Sequence, residues 1–144
     1  MDVTTIGFTK TDAEHFFGRK TADVKRVIDV RLHNTSQLAG FAKADDLPFF
    51  LSELCGADYV HEPLLAPTEE IMTTFKKQKG DWNVFRESFL GLMADRKIES
   101  QFKAEAFDGS CLLCSEDKPH QCHRSLVVDY LNSKWGGRLA VRHL

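Results

Sequence analysis

The chain has 144 residues, 42% hydrophobic and 28% charged, which suits one ordinary globular domain with enough apolar material for a substantial core. No apolar run nears the roughly 20 residues of a membrane span, and Met1 to Thr5 lacks the basic and apolar stretches of a secretory leader, so a cytoplasmic location with reduced cysteines is expected. The net charge of −2 is uneven: residues 1–117 hold 14 Lys/Arg against 20 Asp/Glu, residues 118–144 five against one, too small an excess for a broad nucleic-acid surface but enough for a local anion pocket.

Val3 to Phe8 reads as the first strand. Thr11 and Glu14 form a T-x-x-E capping box, opening a helix that would bury Ala13, Phe16 and Phe17. Val24 to Arg31 is rich in β-branched residues and nearly continuous in its apolar core, the pattern of a strand buried on both faces of a parallel sheet. Residues 45–54 follow as a helix with Leu47, Phe50, Leu51 and Leu54 on one stripe, and Asp58 to Glu62 as a short third strand. Two helices come next: 68–78 groups Ile71, Met72 and Phe75, and 81–96 groups Trp82, Phe85, Phe89, Leu92 and Met93, all as core. Ser110 to Cys114 is the fourth strand, residues 122–134 the last helix, Gly136-Gly137 its stop, and Leu139 to Leu144 the fifth strand.

β-like runs alternating with helical periodicity predict one α/β domain over residues 1–144, a mostly parallel sheet of about five strands covered by helices. In such sheets ligands bind outside the carboxyl ends of the strands. There the sequence places Phe8 and Thr9, Asp29 and Arg31, His61 and Glu62, then Cys114, Ser115 and Glu116. Asp29 and Arg31, two apart on a strand, face the same side, either as a buried ion pair or as substrate contacts. Cys55 reads as packing at a helix end.

The densest chemistry lies between Cys111 and Ser125. Alternation along the strand turns Cys111 and Cys114 to opposite faces, Cys111 toward the core and Cys114 toward the edge crevice. Cys122, His123 and Arg124 begin the following helix, where the macrodipole and the arginine both favour a thiolate. The free N–H groups there, with Arg124, can hold a carboxylate or phosphate. Glu116 is a candidate general acid or base.

Three readings stand at this point. One is an enzyme with Cys114 or Cys122 as nucleophile and Glu116 or His123 as proton carrier. Another is a zinc site drawn from Cys111, Cys114, His120, Cys122 and His123, although its C-x2-C lies in an apolar strand and no second pair follows. The third is a binding segment without chemistry. The first is taken forward with catalytic candidates Cys114, Glu116, Cys122 and His123, and anion-binding candidates Thr9, Asp29, Arg31 and Arg124. No metal or cofactor is assigned. The expected partner is a small anionic molecule or nucleotide, or a nucleic-acid component, with no membrane involved. The oligomeric state is not legible.

With these residues in view, the sequence resembles the DUF488 family. The likeness runs through Thr5-Ile6-Gly7, Asp29-Val30-Arg31, Tyr59-x-His61, Cys114-x-Glu116 and Cys122-His123-Arg124. It implies a Rossmann-like three-layer fold and a site built from Asp29, Arg31, Cys114, Glu116, Cys122, His123 and Arg124, but it implies no reaction. Family members often continue T-I-G with His and Ser, where this chain has Phe8 and Thr9, and Cys111 lies outside the pattern. A looser likeness to rhodanese sulfurtransferases rests on D-V-R and a strand-end cysteine. Here, however, ten positions separate Cys114 from Arg124 and the intervening loop has no glycine.

Overall fold

A computed structural model describes residues 1–8, 12–20, 23–33, 45–77, 80–114 and 122–144, with backbone only at 19, 20 and 76. Five strands form its sheet: β1 (Asp2–Gly7), β2 (Arg26–Asp29), β3 (Asp58–His61), β4 (Ser110–Cys114) and β5 (Ala140–His143). All neighbours pair in parallel, in the order β3-β2-β4-β1-β5. β4, buried at every residue, is the middle strand, a position that suits its apolar run Cys111-Leu112-Leu113-Cys114. β2 is shorter than expected, yet its pairing extends further: Lys25 N–H donates to the Gly109 carbonyl and Val30 N–H to that of Leu113.

Helices cover both faces. On one lie α1 (Ala13–His15), which runs into a π-helical turn at Phe16–Lys20, and α2 (Leu47–Cys55). Phe16, Phe17, Leu47 and Leu51 pack there against Ile6, Phe8, Val27, Cys111 and Leu113. On the other lie α3 (Glu69–Lys77), α4 (Trp82–Arg96), α5 (Ile98–Gln101) and α6 (His123–Lys134). Phe85, Phe89, Met93, Ile98, Leu126, Val127 and Leu131 pack there against Val3, Ile28, Val30, Leu112 and Cys114. The arrangement is a Rossmann-like three-layer α/β fold with an all-parallel sheet. No helix among the described residues is long and apolar enough to cross a membrane.

Several local expectations need correction. Thr11 of the expected capping box lies outside the described residues; the cap of α1 is Asp12, whose carboxylate accepts the His15 N–H at 2.8 Å. Ala13 is exposed, because α1 has a single turn and its apolar side begins only at Phe16. Leu54 is 61% exposed, since the apolar stripe of α2 leaves the core after Leu51. The short α5 was not anticipated; Lys97, at φ 52, separates it from α4. α6 ends as predicted, with Gly136 and Gly137 both at positive φ, a conformation that costs glycine little.

The strand order places the site. From β1 and β2 the chain turns into the α1–α2 layer; from β4, which lies between them, it leads to α6 in the opposite layer. Adjacent strands whose connections leave for opposite faces part at their carboxyl ends and open a crevice there. Gly7, Asp29 and Cys114 are the last residues of these three strands.

Candidate functional site

Cys114 occupies the end of the middle strand and points into the α6 layer, whereas Cys111 points into the layer below, as the alternation predicts. Burial pushes the Cys111 thiol up to about 12, so it is inert. Cys122 is the N-cap of α6, in extended conformation with no capping bond from its side chain. Its sulfur meets that of Cys114, so the two share one place at the end of the middle strand. Cys55 and Cys111 take no part in this pair. The Cys55 thiol donates to the Phe17 carbonyl at 3.4 Å, a packing role.

Arg124, in the first turn of α6, is fully buried and, among the described residues, the largest side chain shut off from solvent. Its Nη1 donates to Cys114 Sγ at 3.0 Å and its Nε to Thr5 Oγ1 at 3.2 Å. Thr5 lies 2.6 Å from His143 Nδ1 through the same hydroxyl. His123, the next residue along from Cys122, donates Nε2–H to the Val30 carbonyl at 2.6 Å and packs its ring on Phe89. Burial drives its pKa down to about 4, and the Arg124 charge works in the same direction against the hydrogen bond to Val30 and the Asp29 charge. His123 is thus neutral near pH 7, and its Nε2 proton is engaged by the backbone.

Asp29 and Arg31 fall on the other side of the sheet edge. Asp29 alternates with Ile28 and Val30, so its side chain enters the α1–α2 layer. Both residues are buried and form a two-pronged pair: Arg31 Nε to Oδ1 at 2.8 Å and Nη2 to Oδ2 at 2.7 Å. The Arg31 backbone N–H adds a third bond to Oδ1, at 3.1 Å. Tyr59 Oη donates to Oδ2 at 2.5 Å, and the guanidinium carbon of Arg31 stands 5.1 Å from the Phe8 ring centroid. His61 Nε2–H donates to the Arg31 carbonyl at 2.6 Å.

The predicted residues therefore separate into two groups flanking one edge. Cys114, Cys122, His123 and Arg124 meet at the start of α6; Asp29 and Arg31 meet beneath it with Tyr59 and His61. Thr9 and Glu116 lie outside the described residues, as do Ser115 and His120. Thr5 and His143 were not singled out from the sequence as site residues, because only the β1–β5 register sets one opposite the other.

Comparison with known proteins adds one finding. The family model described as domain of unknown function DUF488 matches residues 12–131. No curated protein and no solved structure matches the chain.

Proposed function

The chain belongs to the DUF488 family, and we propose that in its reduced form the crevice is a thiol-dependent catalytic site for a small anionic or phosphate-bearing substrate, with Cys114 as the nucleophile. The observation that carries this reading is the 3.0 Å contact between Arg124 Nη1 and Cys114 Sγ at the carboxyl end of the middle strand. A buried guanidinium beside a sulfur favours the thiolate over the thiol, and the N-terminal end of α6 adds a positive potential from the same side. A thiolate is the form of cysteine that attacks an electrophile.

The remaining candidates take roles from their contacts. Arg124 acts on the sulfur, since its side chain is turned inward toward Cys114 and Thr5. Cys122 lies against the nucleophile, where a disulfide between the two would block it. His123 holds the start of α6 against β2 through the Val30 carbonyl, a positioning task that its neutral ring suits. Asp29 and Arg31 neutralise each other and fix the adjacent strand end. Proton transfer is assigned to Glu116, two residues beyond Cys114 in the chain.

The test is peptide-resolved alkylation of reduced, folded protein over about pH 5 to 10, with and without inorganic phosphate or a nucleoside monophosphate. Cys114 is expected to react with an apparent pKa below the roughly 8.5 of a free thiol, and the anions should slow that reaction. A Cys114 that never reacts, or that titrates like free cysteine, removes the nucleophile. Reaction unaffected by either anion removes the substrate class.

A further inference from the structure

Thr5 is a polar residue in the core of the sheet. It is fully buried, between Val3 and Ile6, which are core residues of opposite layers. A buried hydroxyl without partners is costly, so where its bonds go is a question about structure and not decoration. Its oxygen receives the Arg124 Nε–H at 3.2 Å, and it stands 2.6 Å from His143 Nδ1. Thr5 and His143 are directly opposed in the β1–β5 register, and the Leu144 N–H closes the ladder onto the Thr5 carbonyl at 2.8 Å.

Resting on the reading of Cys114 as a reactive thiol, we propose that Thr5 is a positioning residue that aims the Arg124 guanidinium at Cys114 and couples it to His143 on β5. The guanidinium is a planar fork, so an anchor at Nε sets the direction in which Nη1 points. Removing that anchor takes away one of the bonds that fix the plane in which Nη1 meets the sulfur. The protons at Thr5 also close consistently. With His143 neutral, the Thr5 hydroxyl donates to Nδ1 and its lone pair accepts from Arg124. Protonating His143 would turn Nδ1 into a second donor aimed at the same oxygen.

The surrounding charges act in the same frame. Burial holds His143 below the usual histidine range; the Arg124 charge acts with it and Asp129, also on α6, acts against it. Cys114 itself faces Arg124 and Cys122 from α6, and His123 is engaged with Val30. His143 is exposed, so this chain of contacts runs from the surface of the edge strand to the buried sulfur.

Thr5→Val keeps the shape and burial of the side chain and removes the hydroxyl; Thr5→Ser keeps the hydroxyl. In reduced protein, with alkylation followed at Cys114 across pH, Thr5→Val is expected to raise the apparent pKa by about one unit. At pH values well below the parent's pKa that is about tenfold slower reaction. Thr5→Ser should titrate like the parent. His143→Ala, at an exposed position, frees the Thr5 hydroxyl to turn and is expected to move Cys114 in the same direction by less. The proposal is overturned if Thr5→Ser shifts as far as Thr5→Val. It is overturned equally if the folded members of the Thr5→Val and His143→Ala pair titrate like the parent. An ordinary Cys114 pKa in the parent protein is a different result: it removes the thiol reading itself, before any variant is compared.

Discussion

Two arginines are buried at the carboxyl edge, one in each layer, and their partners differ. Arg31 places Nε and Nη2 on the two oxygens of Asp29 and lies over the Phe8 ring. Arg124 donates instead to a sulfur and a hydroxyl. The comparison separates two uses of a buried cation. Arg31 is engaged by a carboxylate and fixes a strand end; Arg124 has a sulfur among its acceptors, where its charge bears on that thiol. The largest effect expected follows from the matched pair. Asp29→Ala leaves a guanidinium buried opposite an alanine, a loss of about 3–5 kcal/mol, measured by urea unfolding. A loss below about 1 kcal/mol would show that Arg31 relaxes toward water, and the two arginines would then not differ as described.

A smaller effect distinguishes the layers by pH. His123, in the thiol layer, has its pKa lowered to about 4 by burial, while in the unfolded chain it titrates near 6.5. Between those values the unfolded chain binds a proton that the folded protein refuses. The contribution of His123 is therefore fully present above about pH 6.5 and is lost as pH falls through 4, by about 3 kcal/mol. The lowered His143 adds to the slope with the same sign. His123→Gln, which retains a donor for the Val30 carbonyl, should flatten this part of the stability profile measured by urea unfolding at successive pH values. An unchanged slope would assign the pH dependence to other groups.

Periodicity carried most of the fold. The two long helices of the thiol layer, α4 and α6, begin and end within a residue of their predicted limits, because Asp81 caps the first and Gly136-Gly137 stops the second. β4 coincides with its prediction, since five buried residues between polar flanks leave little choice. α1 was less legible: a single helical turn followed by a π-helical one has no stable 3.6-residue period to read. The rule of strand ends gathered the candidate residues on one edge but did not divide them between the layers. The odd-numbered positions of β2 and the even end of β4 point to opposite faces, a consequence of register that alternation within one strand cannot reveal. Thr5 and His143 were hidden for the same reason, being partners only through pairing between the two ends of the chain.

The smallest expected effect tests how far the matched pair depends on its neighbour. Tyr59 donates to Asp29 Oδ2, the oxygen that also receives Arg31 Nη2. Tyr59→Phe removes one donor and leaves the arginine fork in place, so the loss is that of a single hydrogen bond to a charged acceptor, about 1–2 kcal/mol. The packing of the ring against the α1–α2 layer is unchanged. In an Asp29→Ala background the same substitution should cost almost nothing, because the hydroxyl no longer has its acceptor. The coupling between the two variants, read from urea midpoints, then nearly equals the whole effect of Tyr59→Phe. Additive losses would instead place the contribution of Tyr59 in its ring, and Asp29 would be held by Arg31 alone.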